Sequence, residues 1–207
     1  MHKIQLILFL LAAAISASGA SNENSAAIGA QNTAAAAPHR LQADDVLVVG
    51  GAVEQKLRAS QGEHRFEPRS LVAQGSALYV VFPGAAADTQ LNTSRPTFWL
   101  SVPAEIEPAD AFVLTAVSVR RSDKRELLIG SGTRQVSLGV PSGRCLDVSF
   151  KRLSDQSRAA PGCVLYEARP EAALAPGQYT WVTQLKSNAQ GDGRGIFYAF
   201  GIAEGAR

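Results

Sequence analysis

Apolar residues in this chain come mostly in short runs rich in Val, Leu, Phe and Tyr, cut apart by Gly, Pro, Ser and Asp, while helical spacing is nearly absent. Runs of that length and make-up are strand signatures. They predict strands at 46–49, 77–82, 97–102, 112–120, 126–129, 135–140, 145–151, 164–168, 178–185 and 196–202. Two of these alternate clearly enough to assign faces: Tyr179, Trp181, Thr183 and Leu185 share one side, as do Ile196, Tyr198, Phe200 and Ile202. The connection between them holds Gly191, Asp192, Gly193 and Gly195, which predicts a long-looped hairpin. A second hairpin, with a charged tip, is predicted over 118–126. At 53–59 the residues Glu54, Gln55, Lys56, Leu57 and Arg58 all favour helix, so this is the one place where a short helix is admitted in place of a strand. About ten short strands with closely spaced turn signals point to an all-β domain, an antiparallel β-sandwich of immunoglobulin-like or related topology, with a barrel as the alternative.

The N-terminus breaks this pattern. Met1, His2 and Lys3 precede an apolar run from Ile4 to Ile15, interrupted only by Gln5, and small residues follow to Ala20. That order reads as a signal peptide over 1–20, with cleavage near Ala20 and Ala17 as the other small-residue option. The run is shorter than the roughly 20 apolar residues of a membrane-spanning helix, so no transmembrane segment is expected in the mature chain. Residues 21–42 are mostly Ala, Asn, Ser and Gly and are expected to form a flexible low-complexity linker before a single domain over 43–207.

A formal net charge of +2 in 207 residues lacks the basic excess of a nucleic-acid binder. The two cysteines of an exported chain are most simply a disulfide, Cys145 to Cys163, stabilising by roughly 3 kcal/mol in the chain-entropy view. Neither stands just after the apolar N-terminal run, which removes the lipoprotein alternative.

Near the C-terminus the chain reads Leu174-Ala175-Pro176-Gly177-Gln178-Tyr179 and later Phe197-Tyr198-Ala199-Phe200-Gly201-Ile202. With Pro83-Gly84, Arg95-Pro96-Thr97-Phe98 and Arg125-Glu126-Leu127 upstream, this resembles a recurring pattern in uncharacterised exported bacterial β-domain proteins. The resemblance spans residues 75 to 203 and implies a periplasmic or secreted β-domain of bacterial source, without site residues to carry over. Gln178 departs from the glutamate more familiar in that turn. Independently, Pro176-Gly177 suits a type II turn, and Tyr179 is expected to bury its ring and keep its hydroxyl at the sandwich edge.

Candidate chemistry is sparse. His64 sits among Glu63, Arg65 and Glu67, as an exposed polar position would. Ser142 lacks the first glycine of a nucleophile elbow and a following helix. No spacing supplies a zinc site, and Asp192 is the lone acid of its loop. Gly130-Ser131-Gly132 lacks the lysine of a phosphate loop, and Asn92-Thr93-Ser94 matches a glycosylation acceptor by composition alone. No catalytic residue, metal or cofactor is assigned. The cluster Arg120, Arg121, Lys124 and Arg125 is the candidate interaction patch, toward anionic envelope polymers or headgroups, with a solvated hairpin tip as the plainer reading. Three functional expectations follow in order: an exported non-enzymatic domain binding an unknown protein or envelope polymer, a carbohydrate-binding module using exposed Trp99 or Trp181, and an enzyme of unrecognised class.

Overall fold

The computed structural model describes residues 40–207 apart from 51–52, 69–74, 121–122, 133–136, 184–185 and 188–192, all within one of the chain's two units, Ala37–Arg207. The expected signal peptide, nearly all of the expected linker, and Arg121, Leu185, Gly191 and Asp192 lie outside the described residues. The strands are β1 Val46–Gly50, β2 Val53–Lys56, β3 Glu63–Pro68, β4 Ser76–Phe82, β5 Gln90–Leu91, β6 Thr97–Pro103, β7 Phe112–Val119, β8 Arg125–Gly132 and β9 Ser137–Leu138. They continue with β10 Cys145–Leu146, β11 Val148–Arg152, β12 Cys163–Pro170, β13 Gly177–Thr183, β14 Lys186–Ser187, β15 Gly193–Arg194 and β16 Phe197–Ile202, and a single helical turn, α1 Pro108–Ala111, precedes β7.

These strands make an all-β sandwich. One large sheet has five strands in the order β11-β12-β6-β1-β2, the other has nine along β3-β4-β8-β7-β13-β16-β5, with β9 and β10 attached beside β8 and β7, and β14 and β15 pair separately as a two-stranded ribbon. Pairing is antiparallel except between β16 and β5. The predicted hairpin of β13 and β16 forms, with Trp181 opposite Tyr198. β7 and β8 also pair, but only through Ser118 with Glu126 and Val119 with Arg125, after which β8 turns to β4.

Side-chain alternation along the middle strands builds two cores. Phe112, Leu114, Tyr179, Trp181, Tyr198 and Phe200 pack against Val46, Val48, Phe98 and Leu100 of the five-stranded sheet. Their sequence neighbours Val117, Val182 and Phe197 point the other way, against Val80, Phe82, Leu127 and Ile129 of β4 and β8. The arm β3-β4-β8 therefore curls back over the far face of β7-β13-β16. Phe82 meets Phe197 edge-on at 5.5 Å, and the Ser60 amide, just ahead of β3, donates to the Phe197 carbonyl at 2.6 Å, which brings the curl nearly to a closed barrel. Gly62 makes this approach possible, since a Cβ there would collide with Val80. Trp181 fills the first core, edge-on to Phe98 at 5.3 Å and to Phe112 at 6.3 Å.

Several expectations are corrected by this arrangement. Residues 53–56 form a strand, because Leu47 to Gly50 offers them a ladder that outweighs helix propensity. The stretch 145–151 is two strands: β10 joins β7, and after Asp147 the chain crosses to the five-stranded sheet as β11. Gly177 enters β13 directly, and the Pro-Gly turn of type II character is instead Pro161-Gly162, where Gly162 has φ 77° and the Cys163 amide donates to Ala160. The expected boundary at 42 falls late. Leu41 is buried at 2% exposure, its amide donates to Arg158 and its carbonyl accepts from Ala160.

Cys145 and Cys163 are free thiols, contrary to the expected disulfide. Their separation has a geometric cause. Val148 pairs with Pro170, seven residues along β12 from Cys163, which is about 23 Å of strand. Three residues of chain from Val148 back to Cys145 recover at most about 11 Å, whereas a disulfide needs Cα atoms within about 7 Å. Alkylation of the denatured protein without reductant is expected to label both thiols. A mass two hydrogens short and no label would contradict this strand register.

The first core generates a second expectation. Trp181→Ala removes its largest fully buried side chain and should cost about 3–5 kcal/mol in urea unfolding. A loss below about 1 kcal/mol would mean that the ring is not enclosed as described.

Candidate functional site

Arg125 opens β8 in register with Leu127 and Ile129, on the barrel-facing side, so its side chain ends over the mouth of the second core. It is 6% exposed. The guanidinium lies 5.6 Å from the Phe82 ring centroid, donates from Nη2 to the Pro83 carbonyl at 3.1 Å and from Nε to the Gly84 carbonyl at 3.2 Å. Its Nη1 is buried and has no hydrogen-bond partner among the described residues. A buried donor of a charged group left unpaired costs on the order of 1–3 kcal/mol or more. Burial lowers the Arg125 pKa from its ordinary value, opposed by the carboxylate of Asp88.

Arg125 forms part of the wall of a recess of about 430 Å³, in the size range of ligand pockets. Besides β8, three chain segments converge there: 55–61 at the end of β2 and beyond it, 83–89 after β4, and Ala199 of β16. Lys56 and Arg58 add cations, and Gln55, Ser60, Gln61 and Thr89 add amides and hydroxyls. The lining is held in place from behind. Lys56 Nζ pairs with the buried Asp45 carboxylate at 2.7 Å, and Gln55 donates to the Thr89 hydroxyl at 3.2 Å. Gln178 accepts from the Ala87 amide at 2.7 Å, and Gln90 donates to the Ala87 carbonyl at 2.7 Å. Gln178 thus pins the 83–89 loop with a neutral acceptor. A Cβ at Gly201 would overlap the Gln90 amide and displace it from this position.

The expected basic patch does not survive as four free cations. Arg125 is a buried part of the recess, Arg121 lies outside the described residues, and Arg120 pairs with Glu126 at 2.9 Å. Lys124 alone is an exposed end near the turn, where Asp123 has φ 53°. Glu126, 5% exposed on the solvent side of the arm, also receives Arg65 at 2.9 Å. Strand parity divides the cluster: Arg125 and Glu126 point to opposite faces of one strand.

The tryptophans do not form an exposed platform. Trp181 is wholly buried, and Trp99 is half-buried, packed with Leu41, Leu47 and Leu165 and covered by the Arg158 guanidinium at 5.3 Å. Tyr179 meets its expectation, stacked on Phe200 at 5.7 Å with its hydroxyl donating to the Ala175 carbonyl at 2.8 Å. A second recess, about 480 Å³, runs from Cys145 to Asp147 along Pro170–Ala175, and burial there pushes the Cys145 thiol pKa up, away from the nucleophilic thiolate. His64 and Ser142 are exposed on separate elements, β3 and a short turn of 3-10 helix. Among the described residues no three His, Cys, Asp or Glu side chains group as metal ligands, and no helix is long and apolar enough to cross a membrane.

No protein-family model matches the chain, nor does any curated protein or solved structure. Function is therefore argued from the recess itself. Its signal in the sequence was available as the period-two register of Arg125, Leu127 and Ile129, which places an arginine in a row of interior positions.

Glu126 yields a pH prediction. Burial raises its pKa, but hydrogen bonds from Arg65 and Arg120 outweigh this and hold it below the usual carboxylate value. A depressed pKa contributes stability that is complete above the unfolded value of about 4.3 and fades as pH falls through the lower folded value. Glu126→Gln should cost on the order of 1–3 kcal/mol at pH 7, and the gap to the parent should close below about pH 4 in parallel urea titrations. A gap that persists unchanged into acid would sink this assignment.

Proposed function

We propose that the chain is an exported, non-enzymatic β-domain that binds a polymer of the cell envelope in the recess beside Arg125. The observation that carries the reading is the buried Arg125 guanidinium, fixed by the Pro83 and Gly84 carbonyls with Nη1 left unpaired among the described residues, in the wall of a cavity of about 430 Å³. A fold that stations an incompletely paired charge there gains from a ligand that completes it. The other lining groups are donors and acceptors suited to holding a polar chain, and Ser60, the nearest hydroxyl to a nucleophile's role, accepts from the Ala199 amide at 3.4 Å without a histidine in the lining. The signal-like residues 1–20 supply the compartment in this reading.

Co-sedimentation with purified envelope polymers, acidic and neutral, tests it. Ala59 is exposed on the recess wall, and Ala59→Trp fills the space without touching either core. The expected result is saturable binding to a polymer that falls at least about tenfold in Ala59→Trp with no change in melting temperature. Binding that ignores the tryptophan, or no binding to any envelope polymer, would refute the reading.

A further inference from the structure

The geometry points to the recess as a subsite for a single carboxylate on a sugar, so that the polymer is an acidic polysaccharide read at its uronic acid residues. This inference rests on the recess being the binding site proposed above, and it adds the chemistry that the site selects.

Three features lead to it. The first is the spare donor: Arg125 is more than nine-tenths buried, has Nε and Nη2 committed to carbonyls, and offers only Nη1. With Nε and one N–H of Nη2 engaged by carbonyls, the side-on fork that a free guanidinium gives to a phosphate is occupied, and the N–H groups of Nη1 remain to meet an anionic oxygen. The second is charge. Lys56, Arg58 and Arg125 stand against Asp88 in the lining and Asp45 behind Lys56, which leaves a surplus of one positive charge. One surplus charge matches a carboxylate, whereas a phosphate dianion would meet the Asp88 carboxylate with its second charge unbalanced. The third is the neutral part of the lining. Gln55, Ser60, Gln61 and Thr89 surround the cations with amide and hydroxyl groups, the chemistry that pairs with the ring hydroxyls of a sugar.

Within this site Arg125 is the buried anchor and Arg58 the exposed second cation that closes on the carboxylate from the rim. Asp88 acts as the discriminating group, admitting one negative charge and rejecting a second.

The test is calorimetric titration of the full chain with sodium glucuronate, glucose and inorganic phosphate, repeated with Arg58→Gln and Asp88→Asn. Both substituted residues are exposed, so their variants report on the ligand, whereas replacing Arg125 would also strip the Pro83 and Gly84 carbonyls of their donors. Glucuronate should bind at least about tenfold tighter than glucose and tighter than phosphate, and Arg58→Gln should weaken it about tenfold. Asp88→Asn should narrow or reverse the preference for glucuronate over phosphate. Equal binding of glucose and glucuronate, phosphate as the tighter ligand of the parent chain, or indifference to Arg58→Gln would overturn the subsite. If glucuronate fails to saturate while polymer sedimentation and its loss in Ala59→Trp persist, the carboxylate assignment falls and the polymer-binding recess stands. If sedimentation fails as well, both fall together.

Discussion

Burial of β13 and β16 on both faces is the constraint on which the rest of this fold depends. A strand with one wet face needs apolar residues only at alternate positions, but here Trp181 enters one core while Thr180 and Val182, its neighbours, are enclosed on the other side. The five-stranded sheet covers the first face, and the second must be covered from within the same sheet, so β3-β4-β8 folds back. The polar atoms this encloses are satisfied locally. Thr180 donates to the Trp181 carbonyl at 2.9 Å, and Thr115 to the Arg144 carbonyl at 2.9 Å. Trp181 Nε1 is an exception, buried without a partner among the described residues, its ring edge-on to Phe98 and Phe112.

The recess follows from the same curl. A sheet that bends back on itself has an open end, and the residue at that end of β8 must pass from a dry interior to water. Arginine suits the place because its apolar stem and planar head can cover Phe82 while its nitrogens reach two carbonyls of the 83–89 turn. The loop is tied in turn to β13 through Gln178 and to β5 through Gln90. The cation is thereby fixed by two backbone carbonyls of one turn that is itself anchored to two strands, which gives it the rigidity a surface arginine lacks.

How much of this could be read from the sequence depended on where each element draws its support. β4, β6, β7, β12, β13 and β16 announce themselves because they carry their own apolar side chains into a core. β3, with the sequence EHRFEP, does not, since its six residues are mostly exposed and it is held by backbone pairing to β4. β2 failed for the same reason. The change of sheet at Asp147 left no mark in composition, and with it went the expected Cys145 to Cys163 bond. For the site, proximity in sequence misled: four cations within six residues look like one patch, whereas the pleat sends Arg125 inward and its neighbour Glu126 outward. Parity carried that distinction, and charge counting did not.

The seam at Ser60 also governs when the molecule can become itself. Ser60 bonds to Phe197, and Gln90 of β5 lies beside Gly201, so segments from the first half of the chain wait for its last strand before either edge is complete. Leu41 waits likewise for Arg158 and Ala160. A chain emerging from its N-terminus can collapse piecemeal but cannot lock, because the contacts that close both layers have long loops to bridge and arrive together. Commitment to the native state is thus deferred until β16 is in place, so the order in which the segments become available limits how early either layer can close.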